Sequence, residues 1–353
     1  MKKLIFLLMT LSWQSYIMCQ GLVFNKEKFA KFAEANPIET TRSFIPNRAS
    51  LKSYAPYNYK QIGNTCVAHS LAMARTILYA KRFDLDNKRD IVKNLFSVKF
   101  LYQSTILTER IRNDYAGEFT LGDGQLILSS LDAIDVIENT GFAKAGDPNQ
   151  YYLEFNKCYP FTDNICYNEL IPLDAYKEII TNSKEYAVET KGLIDAESYS
   201  SKLNKIKSEI SQGRPVLFGM YTPPSFDNLY DKELWIPNDG VYEELIGHQM
   251  LIISYDDFKY NGAFEIMNSW GEEWGKDGYA WVQYADLMKY LEIAYSIQES
   301  FSYYGFNNEP STLKSELEAQ KIIKFGDGDL LENSQIKGQD EVIEKYRIAS
   351  SPN

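Results

Sequence analysis

The chain is predicted to be an α+β protein, with a helix-rich first half and a sheet-rich second half. Three observations carry this. Val67, Leu71, Ala74 and Leu78 recur at helical spacing early in the chain. Three apolar runs, at residues 249–255, 263–268 and 279–284, follow one another late in the chain with turn residues between them. Between the two regimes a helical pattern stops at Gln212-Gly213, and Pro215 to Met220 follows as a strand.

Taken in order, the chain opens on Lys2 and Lys3, followed by a short apolar run from Leu4 to Trp13. That run is too short to span a bilayer and reads as a secretory signal over residues 1–19, so no membrane span is expected. The predicted location is secreted or in the cell envelope, with lipid attachment at Cys19 as the alternative to a cut after it. Residues 20–45 form an N-terminal extension in which Phe24, Phe29 and Phe32 make a small apolar stripe on a short helix. Residues 46–60 read as extended chain with turns. The helix carrying the Val67 stripe follows, with Asn64 or Thr65 able to cap it. Phe96 to Ile111 and Gln125 to Thr140 are expected helices, the second ended by Gly141. Tyr199, Leu203, Ile206 and Ile210 give another. Residues 301–353 lose their periodicity and form a polar tail, leaving 46–300 as the folded domain, expected to be a monomer.

Composition narrows the function classes. The formal net charge of −11 opposes the basic stripe that a nucleic-acid binder needs, so no nucleic-acid partner is expected. The chain has only two histidines and no Cys-x-x-Cys, so neither a metal nor another cofactor is expected. If Cys19 leaves with the signal, three of the four cysteines remain. An oxidising compartment would let Cys158 and Cys166 pair, which leaves Cys66 as an odd thiol.

The candidate chemistry rests on three distant residues. His248 opens the 249–255 run, and Asn268 closes the 263–268 run immediately before Ser269-Trp270-Gly271. A histidine and an asparagine at the ends of neighbouring strands can hydrogen-bond, and that pair orients a base for a nucleophile supplied from elsewhere. Cys66 is the candidate nucleophile. It falls in the first turn of its helix, where the macrodipole and free N–H groups favour a thiolate. His69, the other histidine, is assigned to helix packing.

The pattern Asn268-Ser269-Trp270-Gly271-x-x-Trp274-Gly275-x-x-Gly278-Tyr279, with Gly247-His248 before it and Cys66 opening a helix, resembles the papain-like cysteine proteases (peptidase C1). The short lead-in resembles their bacterial secreted type. The resemblance implies a two-lobe fold, with the cysteine on the helical lobe and the histidine and asparagine on the antiparallel-sheet lobe. It implies hydrolysis of peptides or proteins through an acyl-enzyme on Cys66, with His248 as acid and base, Asn268 orienting it and Trp270 shielding their bond. The family's oxyanion glutamine lies six residues before the cysteine, where this chain has Lys60. Gln61, one residue later, is the candidate substitute. An acyl-transfer (ligase or deamidase) variant, or a catalytically weak or inactive binding scaffold, are the alternatives this pattern leaves open.

Overall fold

The run that begins at His248 is apolar without alternation because its strand is covered on both faces: every residue of β7 (His248–Asp256) is buried except the last. The computed structural model describes residues 21–39, 44–61, 63–113, 127–145, 179, 183–240 and 247–299. The signal segment, Cys158 and Cys166, and the 301–353 tail lie outside them.

In chain order the described elements are β1 (Leu22–Val23), α1 (Lys26–Ala35), β2 (Arg48–Ser50), α2 (Cys66–Arg82), α3 (Lys88–Lys93), α4 (Val98–Asn113), β3 (Leu128–Ser129) and α5 (Ser130–Asn139). Then come β4 (Val188–Gly192), α6 (Tyr199–Ser211), β5 (Val216–Met220), α7 (Pro224–Asp227), β6 (Leu234–Trp235), β7, β8 (Ala263–Met267), β9 (Tyr279–Gln283), α8 (Tyr284–Tyr290) and β10 (Leu291–Glu299). The architecture is α+β with two lobes, as the sequence predicts.

The large sheet runs β4-β10-β5-β7-β8-β9-β6, with β2 pairing the far end of β7 beyond β5. All its pairings are antiparallel except β6 with β9. β7 is therefore central. It is fixed by β5 through Met220↔His248 and by β8 through Leu251↔Met267, so the N-terminal end of β7 and the C-terminal end of β8 lie side by side.

α2 packs across β7, and fourteen of its seventeen residues are buried. The stripe read from the sequence is thus only part of its contact surface, because neighbouring elements enclose the helix on nearly every side. Even Arg75 is buried. Its guanidinium lies 4.9 Å from the Phe96 ring centre and 3.3 Å from a Glu299 carboxylate oxygen at the end of β10. α1 is capped by the Asn25 side chain and α6 by that of Ser198, as their Asn and Ser residues favour.

One boundary differs from expectation. The helix foreseen from Gln125 begins only at Ser130, because Leu128 and Ser129 are extended and pair with β1. Ser129 then caps α5 by accepting from the Leu131 N–H.

Candidate active site

Two short contacts bring the start of α2 to the end of β8. Lys60 bridges to Trp270, and the Gln61 N–H donates to the Ser269 carbonyl at 2.6 Å. Gly63, at φ +55°, turns the chain, and Thr65 takes the N-cap position. The Thr65 side chain makes no cap hydrogen bond, so the expected side-chain cap by that residue is not formed. Cys66 follows as the first helical residue, fully buried and unpaired with any other cysteine among the described residues.

His248 Nε2 donates to Asn268 Oδ1 at 2.7 Å. The amide's orientation is set independently, since the Ser269 N–H also donates to Oδ1 at 2.7 Å. His248 therefore carries its proton on Nε2. Its Nδ1 is buried and has no hydrogen-bond partner among the described residues. Trp270 stacks on the imidazole at 4.6 Å between ring centres and 23° between planes. It is backed edge-on by Trp274, and by Phe226 of α7, which accepts the Trp274 indole N–H at its carbonyl. The Pro223-Pro224 stretch thus builds the wall behind this pair.

Gln61 lies beside these residues. Its Nε2 donates to the Gly63 carbonyl at 2.7 Å, and its Oε1 accepts from the Ser269 hydroxyl.

Residues 21–24 run over Cys66. The Gly21 and Leu22 N–H groups both donate to the Gly247 carbonyl, at 3.1 and 3.0 Å, and the Gly247 N–H returns to the Leu22 carbonyl at 2.8 Å. On the other side the Leu128 N–H donates to the Gly21 carbonyl at 3.0 Å, so the segment pairs with both lobes at once. Leu22 is fully buried against Gly219 and Ile293, where a methyl group on Gly219 would lie only 2.5 Å from a Leu22 methyl. Phe24 covers Gly247 and packs edge-on against Tyr221. Gly21 sits so close that a Cβ on it would lie 2.0 Å from the Asn64 carbonyl oxygen.

Nothing in the sequence pattern singled out this strap, nor Ser130 and Gln249. The Ser130 hydroxyl donates to Gln249 Oε1, and Gln249 Nε2 donates to the Ser70 hydroxyl, tying α5, β7 and α2 together beneath Cys66. All three residues are polar groups inside runs that otherwise read as apolar or helical, which is the signal that could have found them.

The family model for papain family cysteine proteases matches residues 134–301. That stretch is similar to the papain family. It contains His248 and Asn268, and Cys66 precedes it. Solved papain-type structures share the fold. Xylellain, a cysteine protease from Xylella fastidiosa, superposes with a TM-score of 0.50 at 18% identity, over 73% of this chain and 87% of that one. Procathepsin L 3 from the larval midgut of Tenebrio molitor gives 0.51 at 14% identity, over 77% and 78%. ProCathepsin B from Trypanosoma congolense gives 0.51 at 14%, over 80% and 87%. Among curated protein sequences none matches the chain. Family and fold together place the chain among the cysteine-type peptidases.

Burial opposes the charge state that the helix terminus alone would favour. Burial pushes the Cys66 thiol up to about 12, outweighing the main-chain N–H groups of Gln249, Gly21, Val67 and Cys66 itself, which pull it down. Burial also pushes His248 down to about 4, against the opposing bond to Asn268. With the strap in place both partners are neutral. The helix terminus favours a thiolate, but desolvation of a fully enclosed sulfur is the larger effect.

This has a consequence for stability. His69 is likewise held down to about 3 by burial and by His248. Between the ordinary histidine value of about 6.5 and these lowered values, the unfolded chain binds more protons than the folded one, so stability falls as pH drops through that window. Cys66 acts on the other side. Its raised value favours the folded thiol until pH passes the unfolded value of about 8.5, after which stability falls with rising pH. The unfolding midpoint in denaturant should therefore be highest between about pH 6.5 and 8.5. A midpoint that stays level or rises from pH 6.5 down to 4.5 would contradict the buried neutral histidines.

Proposed function

We propose that the chain is a secreted papain-family cysteine peptidase whose catalytic residues are Cys66, His248 and Asn268, held latent by residues 21–24. The observation that carries this reading is the His248 Nε2–Asn268 Oδ1 bond, which leaves Nδ1 bare as a proton acceptor beside the strand that covers Cys66. The Lys2–Trp13 pattern supports export to the envelope or beyond.

Once the strap leaves, water and substrate reach the site and the burial penalty on both ionised forms falls. The Cys66 proton passes to His248 Nδ1. The thiolate attacks the peptide carbonyl carbon, and the carbonyl oxygen takes the negative charge. The Cys66 main-chain N–H and Gln61 Nε2 are the candidate donors to that oxygen, the latter turning away from Gly63. The C–N bond breaks as His248 Nδ1–H protonates the leaving amine. Water then attacks the thioester while His248 takes its proton, releasing the acid and restoring the thiol. Asn268 holds the imidazole throughout, and Trp270 keeps water from their bond.

The test is hydrolysis of a peptide library under mild reduction, by the Leu22→Ala chain, before and after an irreversible peptidyl thiol inhibitor. Mass spectrometry should find the adduct on Cys66, with hydrolysis lost in proportion. Hydrolysis that survives full alkylation of Cys66, or a strap-weakened chain that neither hydrolyses nor labels, would overturn the proposal.

A further inference from the structure

Gln249 follows His248 in β7 and precedes the apolar run 250–253, yet it is fully buried. Burying an amide is costly unless it is hydrogen-bonded, and an apolar side chain of the same shape would fill the space at lower cost. Its bonds show what the amide adds. The Ser130 hydroxyl, at the start of α5, donates to Oε1 at 2.6 Å. Nε2 donates to the Ser70 hydroxyl at 2.7 Å and lies 3.5 Å from the Val67 carbonyl oxygen. Ser70 in turn donates to that carbonyl at 3.1 Å. The amide has one orientation, because turning it over would set Oε1 against the Val67 carbonyl, acceptor against acceptor.

The chain of bonds closes one residue from the chemistry at both ends. Gln249 adjoins His248, and Val67 adjoins Cys66. The side chains of Ser130, Gln249 and Ser70 are all buried. A satisfied polar network of this kind fixes one arrangement, where apolar packing tolerates several.

We propose that the Gln249 side chain is a positioning group for the Cys66–His248 pair, clamping the first turn of α2 to the start of β7 and so setting how thiol and imidazole meet. Without the clamp the helix still packs on the sheet, but the turn carrying Cys66 is free to shift against His248. A misplacement of about 1 Å is enough to cost about 100-fold in rate. Ser130 acts one step further back, by holding the amide.

This inference rests on the proposed pairing of Cys66 with His248, and its test separates the two. In the Leu22→Ala background, iodoacetamide labelling of Cys66 is followed by mass spectrometry at pH 6 and pH 9.5, on variants that urea transitions show to be folded. At pH 6 a thiolate depends on His248, whereas at pH 9.5 the thiol ionises unaided. The other titratable groups beside the pair, His69 on α2 and Tyr295 on β10, are the same in every variant. His248→Ala should slow labelling at pH 6 by about tenfold or more and leave it within about threefold at pH 9.5. Gln249→Met should reproduce that pattern, with kcat lowered about 10–100-fold. Ser130→Ala should lose about threefold at pH 6 and add nothing to Gln249→Met, since it acts only through the amide. A clamp that merely stabilised the fold would leave both labelling rates unchanged or, by loosening the site, raise both. Either result in Gln249→Met would overturn the inference while the catalytic reading stands. Should Gln249→Met not fold, an unchanged pH 6 rate in Ser130→Ala overturns it instead. If His248→Ala labels at pH 6 as fast as its parent, the catalytic reading falls and this inference falls with it.

Discussion

Replacing Cys66 with alanine in the Leu22→Ala background abolishes peptide hydrolysis, by about 10⁴-fold or more, and adding His248→Ala costs almost nothing further. The expectation follows from the division of labour. The thiol supplies the bond to substrate and the imidazole supplies the proton traffic, so neither works without the other. Members of such a unit show strongly non-additive losses, the second removal being nearly silent. Two independent losses that multiply would show that Cys66 and His248 do not act together. The folded state of the Cys66→Ala chain is not at risk, since alanine keeps the apolar character of a buried first-turn position.

The second large effect is an activation. Leu22 is fully enclosed, and cutting it back to alanine removes about 2–3 kcal/mol of burial from the seated strap while leaving its backbone pairing intact. At 1.4 kcal/mol per tenfold, the fraction of open chains rises about 30–140-fold until most are open. Peptidase activity of the full chain should rise by that factor, and so should the rate at which iodoacetamide labels Cys66. Val23→Ala is the control. Its side chain points outward, so it should change neither. Equal effects from the two substitutions would show that the strap does not govern access to the site.

Much of this molecule was readable in advance wherever local sequence decides local structure. The continuous apolar runs became β7, β8 and β9 within a residue or two, because each is dictated by burial and ended by adjacent turn residues. His248 and Asn268 came together because strands that are neighbours in sequence also paired in space. What escaped depends on distant partners. Residues 21–24 are too few to show a period, and their meaning comes from Gly247 and Leu128, far along the chain. The same pairing explains the late start of α5, since Leu128 and Ser129 were drawn out of the helix. The thiolate anticipated at Cys66 is opposed by burial for a related reason. A sequence shows a helix terminus, but it does not show that a glycine-bearing segment will lie across it and exclude water.

Gly21 gives this arrangement a direction in mutational terms. The seat beside Asn64 has no room for any side chain, so every substitution at this position pushes the segment out and none draws it in. In the proposed latent form, the cover is held by the absence of a side chain at this position. Under the proposed latency, any residue placed here would open the site and none would tighten its cover.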